Sequence, residues 1–134
     1  MEPADIRRHA LAALQFNVEA EPAGPSFTLC VPTRLQMQLC LLEATGGTGQ
    51  RFDAAARLRY RRLELLRAVT AWSGVCESHI LGPRPGGDEP LPFDATLVEP
   101  LLDAQPAWED ALGAALIEKT AERAAAQDTA AKNS

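Results

Sequence analysis

The first third of the sequence changes from a helical to a strand-like hydrophobic pattern. In residues 4–15 the apolar side chains recur at the spacing of one helical face, which predicts a short helix. Residues 16–20 and 27–31 instead alternate apolar and polar positions, on either side of a segment with two prolines and a glycine. This arrangement predicts a β-hairpin over 16–31, and it is the one convincing strand signal in the chain.

A second helix is predicted directly after the hairpin. Pro32 ends the strand, and the Thr33 side chain can cap a helix by accepting a backbone N–H bond. The glycine-rich segment 46–49 supplies a helix end, because glycine readily adopts a positive φ. Between these signals the helix carries a broad apolar stripe, formed by Leu35, Met37, Leu39, Leu41 and Leu42.

The next segment predicts a long helix over 51–72. Leu58, Leu65 and Trp72 form a row at a spacing of seven residues, beside a second apolar row, and charged side chains occupy the remaining third of the circumference. A helix that is apolar over most of its circumference packs on two sides. We therefore expect this helix to be the central helix of the domain.

The C-terminal half of the chain divides into a loop, two closing helices and a tail. Residues 73–93 are rich in glycine and proline and predict a loop of about 20 residues, a length that is uncommon inside compact domains. Asp94 can cap a helix over 95–104, and a proline in the first turn suits a last helix over 106–126. Small and polar residues fill 124–134, so this tail is expected to fray.

Composition supports a mostly helical fold. The 134 residues include 24 Ala and 18 Leu against 3 Ile and 5 Val, and Ala and Leu favour helices whereas β-branched residues favour strands. We expect a mainly α fold (α+β with one short N-terminal β-hairpin), with about four to five helices in one domain over 1–123. No apolar stretch approaches the roughly 20 residues of a membrane span. The N-terminus shows no secretory signal pattern, so the cytoplasm is the expected compartment.

The charges divide along the chain. Residues 34–67 carry seven Arg and three acids, whereas residues 77–122 carry ten acids and two bases. One interpretation is that the two halves attract each other within one domain. The other is that each half docks another chain, which favours head-to-tail self-association. The net charge of −5 argues against a general nucleic-acid binder.

No set of residues predicts catalysis, a cofactor or a metal site. The glycines at 46–49 are not followed by the Lys and Ser or Thr of a phosphate-binding loop. Cys76 and His79 have a metal-like spacing, but a structural zinc site needs four ligands. A Cys–His nucleophile pair also needs an orienting group, and spacing identifies none. We therefore expect a protein that is not an enzyme.

Two further features have both a structural and a functional interpretation. The run from Arg57 to Arg62 contains four arginines and is the best indication of nucleic-acid binding, although salt bridges to the acidic half account for it more simply. Trp72 and Trp108 are most simply core anchors, but a tryptophan at a helix end can also anchor an interface.

Four short motifs occur in an order that resembles a known family. They are Phe-Thr-Leu-Cys-Val-Pro-Thr at 27–33, Ala-Trp-Ser-Gly-Val at 71–75, Leu-Pro-Phe-Asp at 91–94 and Ala-Trp-Glu-Asp-Ala-Leu at 107–112. In this order, over about 27–123, the chain resembles the tail assembly chaperones of long-tailed bacteriophages and prophages.

The resemblance implies a small, mostly helical, non-enzymatic protein of the host cytoplasm. Chaperones of this family coat the tape-measure protein, keep it soluble, help to recruit tail-tube subunits and are absent from the mature virion. The implied partners are therefore the tape-measure protein and the tail-tube protein, with no nucleic acid and no membrane. The predicted N-terminal helix and the long segment from Gly82 to Pro90 depart from the family pattern.

We expect the partner-binding residues on the central and closing helices, whose apolar rows can serve both the core and an interface. These residues are Leu58, Arg61, Leu65, Trp72, Leu97, Leu101 and Trp108. Two alternatives stay open. One is a head–tail connector or tail completion protein, which would remain in the particle. The other is a small DNA-binding regulator that acts through the helix at 57–62.

Overall fold

Six α-helices and a three-stranded sheet make up residues 1–47 and 51–133, the part of the chain that the computed structural model describes. In chain order the elements are α1 (Pro3–Ala12), β1 (Gln15–Glu19), β2 (Ser26–Cys30), α2 (Arg34–Thr45), α3 (Ala54–Ala68), β3 (Val69–Ser73), α4 (Glu77–Leu81), a 3-10 turn (Ala95–Leu97), α5 (Val98–Ala104) and α6 (Pro106–Lys132). This mainly helical architecture with a small antiparallel sheet confirms the predicted fold class.

The sheet has the strand order β1-β2-β3, and both pairings are antiparallel. The first pairing is the predicted hairpin, in which Phe16 lies opposite Leu29. Strand β2 alternates half-buried and buried positions, so Phe27 and Leu29 point into the core. The period-two pattern therefore predicts both the hairpin and the face that β2 buries.

The third strand is a correction to the predicted helix over 51–72. Helix α3 ends at Ala68, and the chain continues as β3. Strand β3 pairs with the second edge of β2, where Trp72 lies opposite Phe27. The β-branched pair Val69-Thr70 favours a strand, and the pairing satisfies backbone groups that a hairpin alone would leave open on β2.

Local caps fix the ends of α2 and the start of α3. The Gln36 N–H donates to Thr33 Oγ1 (3.2 Å) and the Thr33 N–H donates to Gln36 Oε1 (2.8 Å), which together form a capping box. Helix α2 ends at Gly46 in the left-handed conformation, as predicted. The rest of the predicted glycine segment, at 48–49, lies outside the described residues. The Asp53 side chain caps α3.

The hydrophobic core is formed by side chains from the sheet and from α3, α5 and α6. The Phe27 ring packs edge-on against Trp72, at 6.3 Å between ring centroids, and against Trp108, at 6.1 Å. Trp72 also donates its indole N–H to the Leu91 carbonyl oxygen (2.8 Å). Both tryptophans therefore anchor the core, which confirms the simpler of their two interpretations.

The segment 73–93 is not the open loop that the sequence predicts. It contains α4 and folds back on itself. The Leu91 N–H donates to the Val75 carbonyl oxygen (2.7 Å), and the Ser78 N–H donates to the Gly87 carbonyl oxygen (3.0 Å). These bonds satisfy backbone groups that an irregular loop would leave to water.

The two ends of the chain differ from the prediction in length and packing. Helix α1 is shorter than the predicted 4–15, and none of its residues is buried, so its apolar face covers no core. The Asp94 cap and the 3-10 turn lead into α5, within the predicted 95–104. Helix α6 continues to Lys132, beyond the predicted 106–126, so the chain is helical over 124–132, where the sequence predicts a frayed tail. Alanine, the strongest helix former, fills much of this stretch.

Candidate partner-binding surface

Arg62 of α3 lies at the centre of an ion-pair cluster between the two charged halves of the chain. Its guanidinium donates two hydrogen bonds to Glu109 of α6, from Nε to Oε2 (2.6 Å) and from Nη2 to Oε1 (3.0 Å). A third bond reaches Asp103 of α5 (2.8 Å), and Glu99 lies 3.5 Å away. The hydrogen bond with Glu109 raises the pKa of Arg62. The two halves therefore attract each other within the chain, as the first interpretation of the charge pattern holds.

The neighbouring arginines are used within the fold as well. Arg61 lies 3.2 Å from Asp110. A Cβ at Gly113 would come within 3.1 Å of the Arg61 Cδ, so glycine allows Arg61 to lie against α6. Arg59 donates from Nε to the Ala44 carbonyl oxygen (2.8 Å) and links α3 to α2. The simpler interpretation of the run, salt bridges to the acidic half, is therefore confirmed for Arg61 and Arg62, whereas Arg59 contacts α2 instead.

A groove of about 550 Å³ opens beside this cluster and brings two predicted site residues together. Leu58, which is 62% exposed, and Arg61 both line it. We call it the α3 groove, and its lining includes Glu43, Leu58, Arg61, Arg62, Leu63 and Glu99. Since Arg62 and Arg61 are already paired with carboxylates, the groove offers apolar surface between walls of balanced charge.

The other predicted site residues lie in the core or beside it. Three of them are buried in the core and cannot touch a partner while the chain is folded: Leu65, Leu101 and Trp108. Trp72 lies on β3 and packs against the core, so the predicted row through Leu58 is broken where α3 ends. Leu97 is half-buried in the 3-10 turn. Leu58 is the predicted residue that remains exposed beside the groove, and Arg61 lines the same groove with its guanidinium paired to Asp110.

A more extensive apolar surface lies on the outer side of α2. Leu35, Leu39 and Leu42 are 63%, 43% and 48% exposed, and we call them the leucine face. Their spacings of four and three residues place them on one side of the helix, whereas Cys40 and Ala44 are buried on the opposite side. The sequence shows this stripe, but periodicity does not tell which of two apolar faces of a helix the fold covers.

The leucine face adjoins the α3 groove through Glu43. Glu43 follows Leu39 by one helical turn, and it also lines the groove. Its carboxylate lies 3.7 Å from Arg67 of α3, so this exposed ion pair spans α2 and α3 at the border. The leucine face and the groove thus form one surface of exposed leucines with paired charges at its rim.

Beneath this surface, one carboxyl group of α3 is shielded from water. Burial raises the pKa of Glu64, and the Tyr60 hydroxyl donates a hydrogen bond to Glu64 Oε2 (3.1 Å), which opposes the rise. Burial also raises the pKa of Tyr60, to about 12. Tyr60 therefore stays a hydrogen-bond donor at all ordinary pH values.

Cys76 and His79, which have a metal-like spacing in the sequence, are in contact, and this contact caps the start of α4. Cys76 Sγ lies 3.3 Å from His79 Nδ1, and the Cys76 N–H donates to the same nitrogen (3.0 Å) at the start of α4. Within residues 1–47 and 51–133 no three potential metal ligands form a cluster.

None of the described helices combines the length and the apolar character that crossing a bilayer requires.

Comparison of the chain with known protein families, with curated proteins and with solved structures returns no match.

Proposed function

We propose that this protein is a tail assembly chaperone of a long-tailed bacteriophage or prophage. In this role it binds the tape-measure protein, keeps it soluble and helps to recruit tail-tube subunits, in the host cytoplasm and without entering the mature virion. The observation that carries the proposal is the leucine face, a helical seam that the fold leaves uncovered. The order of the motifs over 27–123, which resembles this family, supports it.

The leucine face suits an amphipathic helix as its partner. Apolar residues at spacings of four and three form a narrow seam, and a helix laid along such a seam removes the side chains of both helices from water. Burying a fully exposed leucine stabilises a complex by about 1.5–3 kcal/mol, so three half-exposed leucines contribute a few kcal/mol. A long helical protein with exposed apolar surface aggregates unless such a partner covers it.

The rim of this surface favours an apolar client over a highly charged one. Arg61 and Arg62 already pair with acidic side chains of α5 and α6, and Glu43 pairs with Arg67. A partner would have to break those pairs to use their charges. The exposed Leu58 adds apolar area to the same surface without that cost.

The DNA-binding alternative would have to use side chains that the fold already engages. Within the run from Arg57 to Arg62, two arginines are held by carboxylates and Arg59 by a backbone carbonyl. Arg57 lies 5.9 Å from the centre of the Phe52 ring. Phosphate binding would therefore compete with the contacts that pack α3.

The test is affinity capture of the tagged protein from host cells during tail production, followed by mass spectrometry. We expect recovery of a very long helical protein and a tail-tube subunit. A variant with Leu35→Gln, Leu39→Gln and Leu42→Gln should fold normally, since these side chains are exposed, and should lose the long protein.

Ile117→Gln is the matched control, because Ile117 is 65% exposed but lies on α6 and outside the leucine face. This variant should recover the same partners as the wild type. Recovery of portal and capsid proteins would favour a head–tail connector instead. Recovery of the long protein by the triple variant would show that a different surface binds it.

A further inference from the structure

A second groove lies between the C-terminal half of α6 and the start of α2. It has a volume of about 560 Å³, and Leu14, Val31 and Met37 contribute to its apolar floor. Cavities of this size hold several side chains. We call this feature the basic groove.

Two arginines give the basic groove its charge. Arg34 of α2 and Arg123 of α6 line it, and none of its described lining residues is Asp or Glu. Neither arginine has a carboxylate of the described residues within ion-pair distance, in contrast to those of the α3 groove. Burial raises the pKa of the Cys30 thiol, and the charge of Arg123 opposes that rise. Two unpaired guanidinium groups over an apolar floor select a ligand with carboxylates beside an apolar side chain.

A surface of that chemistry occurs on the same chain, at α4. Leu81 is 63% exposed, and Glu77 precedes it by one helical turn on the same face. The Ser78 hydroxyl donates to Asp88 (3.4 Å), which brings a second carboxylate against the helix. Over residues 77–89 the sequence carries three acids and one arginine. We call Glu77, Leu81 and Asp88 the α4 patch.

The basic groove and the α4 patch lie toward opposite ends of α6. His79 of α4 packs against Trp108, at 4.9 Å between ring centroids, near the start of α6. Arg123 follows Trp108 by 15 residues, which is about 22 Å along a helix. The groove therefore cannot receive the patch of its own chain without a large rearrangement.

We propose that the basic groove of one molecule binds the α4 patch of a second copy. Leu81 of one copy enters the apolar floor, while Glu77 and Asp88 pair with Arg34 and Arg123 of the other. Because the groove and the patch are different surfaces, an assembly of any length leaves one groove free at one end and one patch free at the other, so the association is head-to-tail and open-ended. This inference goes beyond the proposed function and does not depend on it, since it concerns the protein alone.

The association should be weak and sensitive to salt. A contact between one groove and a patch of three side chains involves few residues, and small contacts are typical of transient complexes. Four charged side chains at the rim supply much of the attraction, and dissolved salt screens exposed charges. Reversible chains of varying length are therefore expected, and not a single stable oligomer.

The experiment is sedimentation velocity of the purified full-length chain over a range of concentrations, at low and at high ionic strength. At low ionic strength the weight-average sedimentation coefficient should rise with concentration and pass the value of a closed dimer. High ionic strength should return the protein toward the monomer. A protein that stays monomeric at low ionic strength, or that stops at a dimer, would overturn the proposal.

Two variants each remove one of the two surfaces. Arg34→Gln with Arg123→Gln disables the groove and keeps the patch, whereas Leu81→Gln with Asp88→Asn disables the patch and keeps the groove. Each variant alone should be monomeric. Their equal mixture should form a 1:1 pair that grows no further, because it contains one kind of working patch and one kind of working groove. A misfolded variant could not form that pair, so the mixture also tests folding.

Arg7→Gln with Glu118→Gln is the control, since it removes one base and one acid outside both surfaces. This variant should associate like the wild type. A mixture of the two surface variants that stays monomeric, or a control variant that loses association, would contradict the assigned interface.

Discussion

Arg62 on α3 and Glu109 on α6 share two hydrogen bonds, of 2.6 and 3.0 Å, and Glu109 is only 8% exposed. The bond joins the arginine-rich half of the chain to the acidic half in the first turn of α6. Because Glu109 is withdrawn from water, its carboxylate depends on Arg62 for the hydrogen bonds that water would otherwise supply. The pair therefore holds α3 against α6 and shapes the wall of the α3 groove.

Arg62→Gln should lower the free energy of unfolding by about 2–4 kcal/mol, because it removes the charged group that donates two hydrogen bonds to the buried Glu109 carboxylate and leaves only the longer ion pair with Arg61, at 3.7 Å. Arg62→Lys should restore only part of the loss, since an ammonium group cannot make two parallel bonds. Asp110→Asn breaks the more exposed pair with Arg61 and should cost less than about 1 kcal/mol. Chemical denaturation measures all three. Equal losses for Arg62→Gln and Asp110→Asn would contradict this ranking.

Phe27→Ala should be among the most destabilising single substitutions, at about 3–5 kcal/mol. The ring is buried between Trp72 and Trp108, so its loss opens a cavity and removes two edge-on aromatic contacts. Phe52→Ala is the control, because Phe52 is exposed and its loss leaves no cavity in the core. Thermal unfolding with near-UV circular dichroism checks both stability and tryptophan packing. A small loss for Phe27→Ala would mean that this aromatic cluster is not central to the core.

Glu64→Gln should make the free energy of unfolding less dependent on pH. Burial raises the pKa of Glu64 in the folded chain, so the folded state holds this proton more tightly than the unfolded state. The stability that Glu64 contributes is therefore full at pH values below its unfolded pKa and declines as the pH rises through that range to the folded pKa. The variant should match the wild type most closely in acid and gain on it toward neutral pH. A difference between the two proteins that does not change with pH would contradict this expectation.

Several elements could be predicted from the sequence because their signals are local. Thr33 and Gln36 cap α2, and Gly46 ends it, without help from distant residues. The alternation around Phe27 and Leu29 likewise assigns β2 and its buried face. Strand β3 could not be predicted in this way, because the spacing of Leu58, Leu65 and Trp72 is compatible with an unbroken helix. The helix ends at Ala68 because the chain then pairs with the open edge of β2. This pairing is a tertiary contact, and the hydrophobic periodicity of the sequence gives no information about it.

The candidate surface could be predicted only in part, for a related reason. Periodicity shows that a side chain lies on an apolar face, but not whether another element covers that face. The apolar rows therefore predict Leu65 and Leu101 at an interface, although the structure buries them in the core. Leu35 and Leu39 have the same kind of pattern and are left exposed, because α2 packs on α3 through its other side. The same row on α3 predicts Leu58 at a partner surface, and Leu58 is exposed.

The binding of a tape-measure protein by the leucine face is tested most directly by co-expression. The tape-measure protein of the same phage or prophage is produced with and without this chain, and its soluble fraction is measured. We expect the wild-type chain and Ile117→Gln to raise that fraction several-fold. The variant with Leu35→Gln, Leu39→Gln and Leu42→Gln should remain folded by circular dichroism and fail to raise it. A soluble fraction that the wild-type chain does not change, or that the triple variant raises equally, would contradict the proposed function of the leucine face.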